Sequence, residues 1–415
     1  MKIHSLRKDK YFTLIYKLKR AMIFIALFNL YVVNFIFSSE QILDKVQNNC
    51  IWIKYISIEN QTKIDSIIKF INDKNINKVF IETYNNGELL NKERIIFFEN
   101  DSLNFTFNPL NYFIDEIDSL NNNTKIYAWM DVYKLWDRNY YPENPDHFYY
   151  QCPECLESDV NRKSDKLIKL NNIHSLEREC IFLSPNHPKV NKHLLNVFKE
   201  ILNQYNVDGF LLDYFRYQNY YYGYNNSGLE IFENKYGFSP IDLNRGLISK
   251  KFGYNNNNID SLQTLWDNYR IDNITNLLLM INEFIDKESF NIDIIVSTKV
   301  SPYDAKNRWY QDWIYWLNKK LVDYVIVKNY DLDFHEFNYN NRILSKIYSN
   351  TKNLNKIIMG LNSYEDNLSD ITNKILSLRL QKFNNISLYY YENYKAEINW
   401  YNQIYKTINF NLEND

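Results

Sequence analysis

Glycine and proline are scarce: the chain has 8 of each in 415 residues, well below ordinary usage, so each one marks a position. Several signature loops are missing as well. There is no P-loop, no GxSxG nucleophile elbow, no HExxH and no HxH, which disfavours NTPase, serine-hydrolase, zincin and metal-dependent amidohydrolase chemistry. Neither sign of charge dominates. The 48 Lys and Arg are spread among 50 Asp and Glu, for a net charge of -2, and no basic stripe is present for nucleic acid. Aromatic residues are abundant at 17%, including 36 Tyr and 8 Trp. Two readings stay open for them: a tyrosine-rich core and surface, or a cleft of flat faces and hydroxyl tips suited to sugars. At 45% hydrophobic, the chain can fill a large core as one domain.

The N-terminus has the layout of an export signal. Lys2, Arg7, Lys8, Lys10, Lys17, Lys19 and Arg20 precede an apolar run from Ala21 to Phe37, followed by polar Ser38-Ser39-Glu40. The run is long for a signal and short for a span, and Asn29 and Asn34 weaken it as a span. Residues 1–40 are therefore expected to be a cleaved signal, with a membrane anchor through 21–37 as the alternative. Residues 41–415 are expected to form one extracytoplasmic domain in either case: secreted, periplasmic or anchored. Cys50 is no lipid anchor, because Gln47-Asn48-Asn49 lacks the small and apolar residues that such a site needs. Cys152-Pro-Glu-Cys155, with His174 and Cys180, could ligate a structural zinc; in an exported protein a disulfide within the set is the preferred expectation. Neither bears on catalysis.

From Ile51 onward, short β-branched or aromatic runs alternate with amphipathic stretches. Strands are expected at Ile51–Ile58, Lys78–Tyr84, Lys125–Asp131, Val207–Asp213, Asp293–Lys299, Asp323–Tyr330, Lys356–Leu361 and Ile386–Tyr391. Helices are expected at Lys63–Lys74, Leu110–Leu120, Lys189–Tyr205, Thr264–Asp286, Tyr310–Lys320, Arg342–Thr351, Ser369–Lys382 and Glu397–Ile408. Strands that are apolar with little alternation are buried on both faces. Eight such strands alternating with helices read as a closed α/β barrel, the (β/α)8 or TIM barrel. A doubly wound open sheet is the runner-up, but no Gly-rich phosphate turn follows the first strand. Long irregular loops, Tyr133–Asn186 and Arg216–Asp260, are expected after strands three and four, where barrel enzymes keep their active-site loops.

The most informative segment runs from Tyr205 to Tyr217. Asp208-Gly209 makes a tight entry, Phe210-Leu211-Leu212 is buried strand, and Asp213 falls where the strand ends. A carboxylate there sits at the barrel mouth, with Arg216 near enough in sequence to hold it ionised. The alternative is that Asp213 only caps a turn or pairs with Arg216. Asp208, at the strand's start, is read as structural.

The chain resembles glycosyl-hydrolase-like family 10, a set of bacterial (β/α)8-barrel proteins, from Cys50 to about Tyr394. The most specific pieces are Leu183-Ser-Pro-Asn-His-Pro-Lys-Val190 and Val207-Asp-Gly-Phe-Leu-Leu-Asp-Tyr-Phe-Arg-Tyr217. Support comes from Val79-Phe-Ile-Glu-Thr-Tyr-Asn-Asn-Gly87, Ile126-Tyr-Ala-Trp-Met-Asp131, Trp309-Tyr-Gln-Asp-Trp313 and Val322-Asp-Tyr-Val325. Gln218 replaces the family's usual proline, and Val327-Lys-Asn-Tyr330 replaces its Met-x-Tyr. The resemblance implies hydrolysis of glycosidic bonds in a polysaccharide or oligosaccharide, with cell-wall glycan a serious candidate, and no cofactor. Such chemistry needs two carboxylates flanking the scissile bond. Asp213 is one. Glu82 and Asp131 rank first for the other, ahead of Asp304, Asp331, Asp333 and Glu392; the alternative for both is hydrogen bonding to sugar hydroxyls. The Glu of the substrate-assisted chitinase pattern DxxDxDxE is absent. Trp129 and Tyr214 are candidate stacking platforms, with core filling equally open for Trp129. Arg216 is a candidate substrate contact, Lys328 and Tyr330 could bind substrate or tune an acid, and Trp309, Trp313 and Trp316 have the spacing of helix packing. A barrel that binds glycan without cleaving it remains the rival reading.

Overall fold

The computed structural model describes residues 46–90, 94–96, 105–120, 123–173, 178–253, 255–331, 333–348 and 352–409. The expected signal at 1–40 and His174 lie outside the described residues. Eight strands form the central sheet: β1 (Asn48–Ile53), β2 (Lys78–Asn85), β3 (Lys125–Asp131), β4 (Gly209–Asp213), β5 (Asp293–Lys299), β6 (Tyr324–Lys328), β7 (Ile357–Asn362) and β8 (Asn385–Tyr389). Each runs parallel to its sequence neighbour, and β8 pairs with β1, which closes the barrel. The principal helices follow one per strand: α1 (Gln61–Asp73), α2 (Pro109–Ser119), α3 (Pro188–Gln204), α4 (Asn256–Glu288), α5 (Trp313–Asn318), α6 (Phe334–Tyr348), α7 (Leu368–Leu380) and α8 (Trp400–Ile408). Among the described residues, no helix is long and apolar enough to cross a membrane.

Local chemistry accounts for the boundaries. Asn60 caps α1 by accepting from the Lys63 amide. Pro109 and Pro188 open α2 and α3, where a missing N–H costs nothing. One face of α3, Val190, Leu194, Val197, Phe198 and Ile201, is buried against the barrel. The single helix expected at Tyr310–Lys320 is divided instead. Tyr310 takes a left-handed φ of 60°, which ends a helix at Trp309 and lets α5 begin afresh. Strand one stops at Ile53, short of the expected Ile58, because Tyr55–Ile58 coils into a 3-10 turn. At the start of β4, a Cβ on Gly209 would lie 2.2 Å from the Asp293 carbonyl oxygen, so only glycine permits that approach of β5.

Inside the barrel, inward residues stack in layers. Lys78, Tyr127, Asp293 and Tyr324 meet near the strands' N-terminal ends, with Tyr127 Oη donating to Asp293 Oδ2 at 2.7 Å. Trp52, Phe80, Trp129, Leu211, Ile295, Ile326 and Ile358 fill the middle. The two long excursions differ in construction. The one after β3 folds back through an antiparallel pair, Lys134–Trp136 with Ile181–Phe182, and buries the Glu157 carboxylate against the Ser158 and Gly223 amides. The excursion after β4 is helical where irregular chain was expected. Its helices Asn226–Tyr236, Pro240–Asn244 and Leu247–Phe252 build a separate apolar core with Trp266 and Tyr269 of α4. Further along the same helix, Ile271 to Ile285 belong to the main core.

Candidate active site

Because strand side chains alternate, every second residue points to the barrel axis. Counting from the middle layer, the next inward positions are Glu82 on β2, Asp131 on β3, Asp213 on β4, Ser297 and Lys299 on β5, and Lys328 on β6. Asp131 and Asp213 are matched in register across β3 and β4. Three carboxylates and two lysines thus collect at the C-terminal ends of the strands.

Asp213 is tightly held. Lys328 Nζ lies 2.7 Å from both of its carboxylate oxygens, the Tyr214 amide donates to Oδ1 at 2.8 Å, and the Ser297 hydroxyl donates to the same oxygen. Burial works to raise its pKa, but the Lys328 charge and these donors overcome that and keep it below its ordinary value. Tyr214 turns sharply at φ 48°, a left-handed conformation that is costly for a bulky residue and aims its amide back at the carboxylate. Its ring stays half-buried at the mouth, near Lys134, Arg216 and Lys328 at 4.9, 5.2 and 5.7 Å.

Asp131 has the opposite character. It accepts from Trp129 Nε1 at 2.9 Å and pairs with Lys134 at 2.8 Å. Burial pushes its carboxyl up to about 6; Lys134 opposes the rise, and the charges of Asp213 and Glu82 add to it. Glu82 accepts from the Tyr55 amide at 3.0 Å and from Asn85 at 2.7 Å, and it lines a cavity of about 580 Å³ with Asn86, Trp136, Arg138 and Tyr140. Trp129 is only 3% exposed and lies edge-on to Trp52 at 4.8 Å. It fills the interior, one of the two readings left open for it, and donates to Asp131.

Asp213 opens onto a separate cavity of about 470 Å³, lined also by Glu179, Arg216, Lys299, Tyr330 and Asp331. Arg216 does not hold Asp213 as expected. Its guanidinium pairs with Glu179 and donates to the Tyr217 and Gln218 carbonyls, both at 3.1 Å, so Lys328 takes the anticipated role. Tyr330 stacks on Tyr389 with centroids 5.8 Å apart, and its hydroxyl has no hydrogen-bond partner among the described residues. Glu179, Ser297 and Lys299 were not anticipated. Glu179 comes from a loop without periodicity, which gives no sequence signal for its place. Ser297 and Lys299 were discoverable by parity from Ile295. Asp304, Asp333 and Glu392 line neither cavity.

The cysteines pair within the CxxC: Cys152 and Cys155 form a disulfide, and Cys50 and Cys180 are buried free thiols. Cys155 Sγ lies 3.4 Å from His187 Nδ1, and these two residues with Cys152 are grouped closely enough to bind a metal if the sulfurs were reduced. The Leu183–Val190 motif has a bracing role. Ser184 Oγ lies 3.0 Å from Glu157 Oε1 and 2.5 Å from Asn186 Oδ1, while Asn186 donates to the Gly223 carbonyl at 2.7 Å, tying the two excursions together.

A closed (β/α)8 barrel with carboxylates gathered at the C-terminal mouth is the arrangement of the barrel glycoside hydrolases. The fold is shared with the PgaB (BpsB) glycoside hydrolase domain of Bordetella bronchiseptica, at TM-score 0.61 and 14% identity over 87% of this chain and 98% of that one. It is shared too with the catalytic domain of β-amylase from Paenibacillus polymyxa, at TM-score 0.52 and 10% identity over 82% and 91% of the two chains. The protein belongs to the Glycosyl hydrolase-like 10 family, whose model matches residues 45–374. No curated protein matches it.

Proposed function

We propose that this barrel is an exported glycoside hydrolase that cleaves O-glycosidic bonds in a polysaccharide, with cell-wall glycan among the substrates to be tried first. One observation carries the reading. Asp131 and Asp213 are matched in register, yet their surroundings shift their acidities in opposite directions, Asp131 up to about 6 and Asp213 below its ordinary value. Divergent carboxylates at one mouth are how a fold separates an acid from a base or nucleophile. In this reading Asp213, kept ionised by Lys328, attacks the anomeric carbon or activates water, and Asp131 is the proton-holding group. Glu82 binds sugar hydroxyls from the adjoining cavity. Tyr214 offers a ring face, and Tyr330 lines the same cavity.

A second reading, glycan binding without cleavage, draws support from the same site: Asp131 lines neither cavity, and Asp213 is clamped on both oxygens. Screening defined polysaccharides and cell-wall glycan strands for new reducing ends separates the two. Cleavage that is lost in Asp213→Asn supports the enzyme, whereas tight binding with no release supports the rival. Export rests on the basic run ahead of Ala21–Phe37. A reporter fused after Asp415 that worked only in the cytoplasm would overturn it.

A further inference from the structure

Three cations face the Asp213 cavity, and two are already matched. Lys328 is 2.7 Å from Asp213, and Arg216 is bonded to Glu179. Lys299 is left over. It is the last residue of β5, its Nζ sits 4.9 Å from the centroid of Trp309, and among the described residues no carboxylate lies within ion-pair distance of it. The alternation of β5 fixes its place. Ser297, which donates to Asp213, is the inward residue just before it, so Lys299 stands two residues, roughly 6.6 Å, further along the strand axis. That step is the scale of one sugar ring. An unmatched ammonium in a partly desolvated cavity attracts an anion far more strongly than one in open water.

Resting on the glycosidase reading, we propose that the substrate is an acidic glycan whose sugar carries a carboxylate, and that Lys299 binds this carboxylate while the same ring presents its anomeric carbon to Asp213. The electrostatics of the cavity agree. Burial, with Arg216 and Lys328 adding to it, pulls Lys299 down to about 8 against the opposing charges of Glu179 and Asp213. Those two carboxylates are already paired with the same two cations, so a bound carboxylate would add counter-charge that the cavity lacks. Asp331, the remaining carboxylate of the cavity, is engaged by Asn340 at 2.8 Å. Lys299 would thus act as a specificity-determining residue.

The test is calorimetric binding to the full chain carrying Asp213→Asn, at pH 6.5. The probes are tetramers of galacturonate, glucuronate and mannuronate, the same tetramers with carboxyls reduced to alcohols, and peptide-free cell-wall strands whose carboxylate is a lactyl ether. At least one acidic probe is expected to bind 10-fold or more tighter than its neutral counterpart, and which one does so identifies whether the carboxylate is on the ring or on an ether. Adding Lys299→Met should bring the acid-to-neutral ratio close to one, and Lys299→Arg should restore it; thermal melting verifies that each variant is folded. A ratio unchanged by Lys299→Met, or neutral probes bound as well as acidic ones, overturns the inference while leaving the glycosidase reading intact. If no glycan of any kind is bound or cleaved, both fall.

Discussion

At the closed end of the barrel, Lys78 and Asp293 stand 3.8 Å apart with the Tyr127 hydroxyl bonded to both. At the open end, Lys328 and Asp213 stand 2.7 Å apart, with the Ser297 hydroxyl on the same carboxylate. The ingredients are nearly alike: a lysine, an aspartate and a hydroxyl, all on inward positions of barrel strands, with β5 contributing to both sets. Their surroundings separate them. Lys78 lies over the rings of Tyr127 and Tyr324, at 4.8 and 4.7 Å, and is almost fully buried, whereas Asp293 reaches solvent and also pairs with Lys125. Lys328 and Asp213 border a cavity of about 470 Å³. A pair whose lysine is covered by rings serves the fold, and one that borders a cavity is available for chemistry. Strand polarity decides which end has which, because the long loops leave from the C-terminal ends.

Substitution at the two ends should break apart along this line. The largest effect is expected from Asp213→Asn, which should lower turnover on a cleaved glycan by about 10²–10⁴-fold or more while the melting temperature stays within a few degrees. Asp293→Asn, measured alongside, should leave turnover per folded molecule near normal; equal losses at both ends would erase the distinction. Next comes pH. Activity should fall at the acid side as Asp213 gains a proton, and at the alkaline side as Asp131 loses one near 6. Asp131→Asn should abolish that alkaline limb and cost about 10²-fold in turnover. The stability sign for Asp131 is that of a raised carboxyl: its contribution is full below the unfolded value of about 3.9 and is lost as pH rises through about 6. A pH–rate profile and a pH series of melts read these separately. Lys78→Met should cost about 2–3 kcal/mol in denaturant unfolding, toward the low end for a broken buried pair because Asp293 keeps Lys125 at 3.5 Å. The smallest effect is assigned to Asp208→Asn. The Asp208 carboxylate accepts the Ile126 amide at 2.8 Å, and Asn can still accept, so about 1 kcal/mol of stability and no turnover should be lost.

Strands were legible wherever burial on both faces made the run continuously apolar. The expected bounds of Lys125–Asp131 and Asp293–Lys299 match β3 and β5 residue for residue. Asp213 was legible because it ends such a run. Arg216 misled, since closeness in sequence was read as closeness in space; after the left-handed turn at Tyr214 the chain carries Arg216 toward Glu179 instead. Trp129 was legible only as far as two readings, stacking or core filling, because period-two counting gives the direction of a side chain but not its depth. The missing first turns of α4 have a chemical cause. Asn255 to Asn258 read as loop from composition, yet they form a reciprocal capping box, with Asn255 accepting the Asn258 amide at 3.0 Å and Asn258 accepting the Asn255 amide at 3.3 Å. Glu179 had no legible signal: its loop has no periodicity, and its place depends on how that loop folds back.

The 33-residue helix α4 ties the aromatic core of the second excursion to the barrel wall. About 50 Å of continuous helix is a stiff beam, and a module that rides on a beam is exchanged as a cassette. Changes of length within the helices Asn226–Tyr236 to Leu247–Phe252 would be borne by that separate core and by the first turns of α4, not by the strands.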